Sequence, residues 1–138
     1  MSADEARRLF ASRPVAHLAT AGVGGQPHVV AICFAVDGDT IVTAVDRKPK
    51  RDRRLKRLDN VRLNARASVL VDHYEDDWSA LWWARADGRA RVVQPDQPGH
   101  AAAVAALVDR YPQYGSSPPD GPVIEVSVER WSGWRAQP

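Results

Sequence analysis

Runs of apolar residues in strand-like patterns dominate the sequence. Residues 28–36 are apolar at both alternating sets of positions. This pattern predicts a strand covered on both faces, either central in a sheet or in the wall of a small closed barrel. The pair Asp37-Gly38 is a strong turn signal, and the mostly apolar residues 41–46 follow it. The two segments are therefore predicted to pair as a β-hairpin.

Four more segments carry the β-branched or alternating pattern of strands: residues 15–20, 67–72, 80–93 and 123–130. Within the third of these, Asp87-Gly88 allows either a second hairpin or a bulge in one long strand. The last segment alternates without interruption, and its inward set is predicted to be Ile124, Val126 and Val128.

Helical segments are fewer and lie between the predicted strands. Ser2 followed by Glu5 fits a capping box, which predicts a short helix at the start of the chain. Pro49 suits the entry of a second helix, expected over residues 50–60. An alanine-rich run at residues 101–111 predicts a third helix.

The order of these elements favours an antiparallel fold over a parallel α/β sheet, because the connections are short and turn signals are frequent. The expected architecture is mainly β (α+β), with six or so antiparallel strands in a small barrel and peripheral helices. At 138 residues the chain has the size of one domain, so residues 1–138 are expected to form a single domain.

Composition is that of an ordinary globular protein. Hydrophobic residues make up 44% and charged residues 26%, which argues against wholesale disorder. No apolar run approaches the roughly 18 residues that cross a bilayer, and no signal-peptide core is present, so a cytoplasmic protein without a membrane partner is expected. The single cysteine, Cys33, excludes an intramolecular disulfide framework.

Positive charge is concentrated in one segment. Residues 47–57 carry eight cationic side chains and one carboxylate, although the net charge of the whole chain is only +2. If this segment is helical, Lys50, Arg54 and Arg57 fall on one stripe. A cationic helix start that follows a strand favours a bound phosphate. The cations at that positive end of the helix dipole are Lys48, Lys50 and Arg51.

Two other interpretations of the cationic segment stay open. A solvated charged face is the usual explanation of a charge run. Binding to a nucleic-acid backbone also needs clustered cations, and the tryptophans could stack on bases. No nucleic-acid partner is expected, however, because the rest of the chain is net acidic and no recognised nucleic-acid motif appears.

Side chains that could carry chemistry on their own are scattered. The four histidines show no metal-ligand spacing, so no metal site is expected. The serines lack the context of a catalytic nucleophile, and Cys33 in an apolar strand is predicted to be inert. If the protein is an enzyme, a bound cofactor is therefore expected to carry the reaction.

Five tryptophans are many for a chain of this size. Trp82 and Trp83 are neighbours in a predicted strand, so their rings must face opposite ways. Most of the rings are expected in the core, while at least one is free to reach a second subunit or a ring-shaped ligand.

Several motifs carry a family resemblance, the strongest being Asp46-Arg47-Lys48-Pro49-Lys50-Arg51. The others are residues 18–20, 25–30, 41–46, 64–72 and 76–83. Together they resemble the pyridoxamine 5′-phosphate oxidase-like family of split β-barrels, over about residues 13–135. Within that family they are similar to oxidoreductases that depend on the deazaflavin coenzyme F420. The family usually has Asn-Pro where this chain has Asn64-Ala65.

The resemblance implies a split β-barrel homodimer with two equivalent cofactor sites at the subunit interface. A flavin or deazaflavin would lie along strands around residues 28–34 and 41–44, with its phosphate toward the cationic segment. The cofactor-binding residues assigned on this basis are His28, Val30, Ile32, Thr43, Lys48, Lys50, Arg51, Arg54, Arg57, Trp78 and Trp82.

The choice of cofactor rests on charge. The cations beyond Arg51 suit the long anionic tail of F420, so hydride transfer between F420 and a small unsaturated organic substrate is expected. An FMN-binding oxidoreductase on the same barrel is the alternative, and a flavin- or deazaflavin-binding protein without turnover is a third. No catalytic side chain is assigned.

Overall fold

The computed structural model describes residues 1–45 and 55–137. In these ranges seven antiparallel strands form one sheet, and three α-helices pack around it. The helices are α1 (Ala3–Ala11), α2 (Lys56–Leu63) and α3 (His100–Arg110). The strands are β1 (Ala16–Ala21), β2 (Pro27–Ile32), β3 (Ala35–Asp37), β4 (Thr40–Ala44), β5 (Arg66–His73), β6 (Trp82–Val93) and β7 (Val123–Arg135).

The strand order shows that the sheet curls into a split barrel. The order is β2-β1-β5-β6-β7-β4-β3, which places β2 and β3 at opposite edges. Yet β2 ends at Ile32 and β3 begins at Ala35, so these edges lie within about 11 Å of each other along the chain. We call the place where the two edges meet the seam. The predicted small antiparallel barrel is confirmed, with seven strands rather than about six.

The strand β6 is continuous, so Asp87-Gly88 forms a bulge and not a hairpin. The register of β6 against β7 shifts between these two residues. A Cβ atom added to Gly88 would lie 2.0 Å from the carbonyl oxygen of Ser127, so glycine is required there. β7 also continues to Arg135, beyond the predicted end at residue 130, because it pairs with β6 along its whole length.

Two apolar clusters form the core, and a helix covers each of them. Below α1, the ring of Phe10 meets Phe34 edge-on at 5.9 Å and Trp131 at 5.3 Å. Below α3, Leu107 is fully buried against β3, β4 and the start of β7. The predicted inward set of β7 is confirmed, with Ile124 and Val126 at 0% and 1% exposure and Val128 packed against the first cluster.

The prediction of one strand over residues 28–36 is wrong in two respects. The strand breaks at Cys33-Phe34, which separates β2 from β3. In addition, only one face of β2 is covered in this chain, since Val29 is 64% exposed and Ala31 is also exposed. The second apolar face of β2 therefore lies on the outside of the barrel.

The helices agree with prediction except at the boundaries of α2. The capping box of α1 is confirmed, because the Ser2 hydroxyl accepts a hydrogen bond from the Glu5 N–H at 3.1 Å. Of the helix predicted over residues 50–60, residues 50–54 lie outside the described ranges; α2 begins at Lys56, after an extended Leu55, and ends at Leu63. No helix in the described ranges is long and apolar enough to cross a membrane.

Candidate functional site

A small cleft opens beside the seam of the barrel. Its volume is about 140 Å³. The end of β2, the end of β4, the start of α2 and the turn after α3 all contribute to its wall. The lining residues are Val15, Ala31, Ile32, Cys33, Ala44, Arg57 and Tyr114.

Among the described residues of this lining, Arg57, the second residue of α2, is the one charged side chain. It is half-buried, and the N-cap residue of the helix, Leu55, makes no side-chain capping hydrogen bond. The first backbone N–H groups of a helix have no intrahelical partners and carry its positive dipole end. The guanidinium and the helix start together make this end of the cleft suitable for an anion.

Described residues that precede and that end the cationic segment (residues 47–57) both line this cleft. Ala44, the last residue of β4, precedes the segment and lines the cleft, and Arg57, the last residue of the segment, lines it as well. Four cations assigned from the sequence, Lys48, Lys50, Arg51 and Arg54, lie outside the described residues. The predicted helical stripe through Lys50, Arg54 and Arg57 has two of its three members outside the described residues, and the helix that holds Arg57 begins at Lys56, after an extended Leu55.

Residues of β2 assigned from the sequence divide between the cleft and the barrel interior. Ile32 lines the cleft and is 5% exposed. Val30 packs against the core, opposite Leu18 in β1. His28 lies opposite Thr20, and its buried Nδ1 atom has no hydrogen-bond partner within the described part of the chain. Thus Ile32 belongs to the cleft, while Val30 and His28 lie further along the strand.

Thr43 is placed differently from the assignment. Its side chain is 2% exposed, and its hydroxyl donates a hydrogen bond to the Cys33 carbonyl oxygen at 2.7 Å. The hydroxyl thus connects β4 to the break between β2 and β3 instead of facing the cleft. Thr43 therefore contributes to the cleft indirectly, by holding the backbone of the lining residue Cys33.

The two assigned tryptophans lie in opposite environments. Trp82 is 9% exposed and belongs to the core of its own chain, whereas Trp83, on the other face of β6, is half-buried. Opposite orientation of the two rings is thereby confirmed. Trp78 is 77% exposed at a turn that Asp77 stabilises by accepting a hydrogen bond from the Ser79 N–H. Trp78 is therefore free to contact a second molecule, and Trp82 is not.

Five of the seven lining residues are absent from the set assigned from the sequence. Ala31 and Ala44 lie in strands that were expected beside the cofactor; the other three are Tyr114, Val15 and Cys33. Tyr114 lies in the proline-rich stretch after α3, where no periodic pattern marks it. Val15 precedes β1 and is 47% exposed. Cys33 was expected inside an apolar strand, but the break in that strand leaves it exposed. Only the tertiary structure brings these three together.

Two further features bear on the chemistry available. A larger depression of about 530 Å³ lies between β1, β5, β6 and β7 and contains none of the assigned residues. Its rim carries charges of both signs, including Arg66, which lies 3.7 Å from Glu129. Among the described residues, no group of three or more potential ligands could hold a metal ion.

Comparison with known proteins extends over nearly the whole chain. The family model described as pyridoxamine 5′-phosphate oxidase matches residues 2–135. No functionally curated protein matches the sequence.

Solved structures share the fold at low sequence identity. A conserved hypothetical protein from Mycobacterium tuberculosis is 22% identical, with a TM-score of 0.76 over 98% of this chain and 85% of that one. A FAD-binding protein from Mycobacterium smegmatis is 19% identical, with a TM-score of 0.69 over 99% of this chain and 98% of that one. A heme-binding protein from the same species is 25% identical, with a TM-score of 0.77 over 97% of this chain and 54% of that one.

These likenesses agree with the split-barrel fold described above. The family match spans both the barrel and the residues that line the cleft. This chain belongs to the pyridoxamine 5′-phosphate oxidase family.

Proposed function

We propose that the protein is an oxidoreductase that transfers a hydride between the deazaflavin coenzyme F420 and a small unsaturated organic substrate. The observation that carries this proposal is the position of Arg57. It stands half-buried at the start of α2, in a cleft whose other walls are largely apolar. A cofactor that combines a flat ring with a phosphate requires that combination.

The residues present fit such a group, but they supply only part of its site. Ile32 and Ala44 offer apolar surface to a ring, and Arg57 offers charge to a phosphate. The cleft measures about 140 Å³, whereas sites that enclose a ligand of this size commonly reach roughly 300–1,000 Å³. The remaining walls are assigned to the cationic segment and to a second subunit.

A second copy of the chain is the proposed source of the missing wall. β2 is apolar on both faces, yet in this chain Val29 is 64% exposed and Ala31 is exposed. A strand with this pattern is ordinarily covered on both sides. Trp78, exposed to 77%, offers a large aromatic surface for the same contact. We therefore propose a homodimer with two equivalent cofactor sites between the subunits.

The chemistry of hydride transfer is supplied by the deazaflavin when it is bound. This chain's residues bind it, orient it and exclude water. Arg57 anchors the anionic part, and Ile32 and Ala44 keep the ring surface dry. Excluding water strengthens electrostatic interactions inside the site. Thr43 holds the wall in place through its hydrogen bond to Cys33.

Charge supports F420 over FMN, because residues 47–57 carry more cations than a single phosphate needs. FMN in the same cleft is the second candidate. It is supported by the family to which the chain belongs and by the shared fold of a FAD-binding protein.

Titration with each cofactor tests the proposal. F420 is expected to bind more tightly than FMN, as measured by quenching of tryptophan fluorescence. Cys33 is the one cysteine of the chain and lines the cleft, so bound cofactor is expected to slow its alkylation. Tighter binding of FMN would contradict the F420-dependent function and support the FMN-dependent one. Binding without protection of Cys33 would place the cofactor elsewhere.

Molar mass in solution tests the shared site. Light scattering is expected to give twice the 15.2 kDa mass of the chain. Replacing Val29 with Glu puts a charge on the exposed face of β2 and is expected to yield monomers with weakened cofactor binding. A wild-type protein that is monomeric when it binds cofactor would contradict the proposed interface.

A further inference from the structure

The seam of the barrel is held by a residue far away in sequence. Phe34, fully buried between β2 and β3, has both backbone polar groups within hydrogen-bond distance of the Tyr111 hydroxyl. The Phe34 N–H donates to that hydroxyl at 2.9 Å. Tyr111 itself follows the last residue of α3 and is 9% exposed.

The hydrogen of the Tyr111 hydroxyl has two acceptors within reach, at 2.9 Å each: the carbonyl oxygens of Pro14 and Phe34. A phenol carries only one hydrogen. The Phe34 carbonyl already accepts a hydrogen bond from Arg110 at 3.1 Å. All groups are satisfied if the phenol accepts from the Phe34 N–H and donates to Pro14. Burial raises the pKa of Tyr111, which keeps this donor protonated.

Each residue that the Tyr111 hydroxyl bonds adjoins a residue of the cleft. Pro14 precedes Val15, and Phe34 follows Cys33; both neighbours line the cleft. The ring of Tyr111 also packs edge-on against Tyr114, a third lining residue, at 5.9 Å. One side chain thus sets three parts of the same wall.

We propose that Tyr111 is a positioning residue of the cofactor site, which acts by holding the Cys33-Phe34 break and the start of β1 against the end of α3. The inference rests on the proposed function for its ligand, but the hydrogen bonds that carry it are independent of any ligand. Thr43 holds the same break from β4, through the Cys33 carbonyl.

Tyr111→Phe tests the role of the hydroxyl because it keeps the ring. Val126→Ala is the control: it opens a cavity in the first core cluster, in β7, and Val126 is not itself a lining residue of the cleft. The two readouts are cofactor affinity and the hydrogen-exchange rate of amides 31–36, each compared with the fall in melting temperature.

Tyr111→Phe is expected to weaken cofactor binding at least tenfold and to speed exchange at residues 31–36, where the Phe34 amide loses its acceptor. Val126→Ala is expected to lower the melting temperature while changing neither readout. If Tyr111→Phe does not fold, Thr43→Val is measured instead, with the same expected result.

The outcomes separate the two proposals. Wild-type protein that binds neither F420 nor FMN overturns the proposed function. The hydrogen-exchange rates then test by themselves whether Tyr111 positions residues 31–36. Unchanged exchange at residues 31–36 in the variant overturns the positioning role. Equal weakening of cofactor binding by the control also overturns it, since the effect then follows stability and not the seam.

Discussion

The indole N–H of Trp131 donates a hydrogen bond to the carboxylate of Asp39 at 2.8 Å. Asp39 lies in the turn between β3 and β4, so this bond joins that turn to β7. Arg7 of α1 donates to the same carboxylate at 2.7 Å. One exposed carboxylate therefore links a helix, a hairpin and the longest strand.

The first prediction concerns acid stability. The hydrogen bond from Trp131, with that from Arg7, lowers the pKa of Asp39, and the hydrogen bond from Arg135 lowers the pKa of Glu5. A carboxyl group with a lowered folded pKa contributes stability above its unfolded pKa and loses it as the pH falls through the folded value. As the pH is lowered past about 4, the melting temperature is therefore expected to decrease.

Asp39→Asn provides the comparison, measured by thermal unfolding across the acid range. Its melting temperature is expected to be lower than that of the wild type at neutral pH and to approach it in acid. A constant difference at all pH values would show that ionisation of Asp39 does not contribute.

The second prediction concerns the bulge in β6. Gly88→Ala places a methyl group 2.0 Å from the Ser127 carbonyl oxygen, which the backbone must move to accommodate. The expected loss in the free energy of unfolding is about 3 kcal/mol or more, measured by urea denaturation. Gly121→Ala is the matched control, because nothing lies within 4 Å of its added Cβ. A similar stability for both variants would contradict the crowding at the bulge.

The third prediction separates two tryptophans. Trp82→Ala removes a ring that is 9% exposed, so the expected loss in the free energy of unfolding is about 3–5 kcal/mol. Trp78→Ala removes a ring that is 77% exposed, and the isolated chain is expected to change by about 0.5 kcal/mol at most. Because Trp78 is assigned to the cofactor site, its loss is expected to weaken cofactor binding. Unchanged affinity would remove Trp78 from that site.

The fourth prediction concerns the charge in the cleft. Arg57→Ala is expected to cost about 1.5–3 kcal/mol of cofactor binding, as expected for a hydrogen bond to a charged group. The salt dependence of binding should also become less steep. Arg62→Ala is the control, since Arg62 lies in the last turn of the same helix and outside the cleft lining. Equal effects from both variants would indicate general attraction to the cationic region instead of a defined contact.

Much of the fold follows from local sequence signals. Ser2 and Glu5 determine where α1 begins, because the Ser2 hydroxyl reaches a free N–H of the first turn. Asp37-Gly38 determines the hairpin, since Gly38 adopts a φ of 59° that other residues avoid. The alternation along β7 determines which of its side chains enter the core. Each of these signals acts over a few residues, so the sequence alone reveals it.

The candidate site depended on contacts that no local signal carries. The sequence indicated Ile32 and Arg57, but it allowed either a hairpin or a bulge at Asp87-Gly88. Pairing of β6 with β7 decided for the bulge. Likewise, the apolar pattern of residues 28–36 predicted one continuous strand, whereas in the structure the strand breaks at Cys33-Phe34, beside the cleft.

What the sequence by itself determined was the set of strands, the antiparallel class and the cationic segment. Only the tertiary structure decided that the first edge strand ends at Ile32. At the break that follows, the Tyr111 hydroxyl, 77 residues away from Phe34, accepts from the Phe34 N–H, and Arg110 donates to the Phe34 carbonyl oxygen. The physical reason is that periodicity and turn chemistry depend on neighbouring residues. A break in a strand depends instead on which distant group satisfies the freed N–H and C=O.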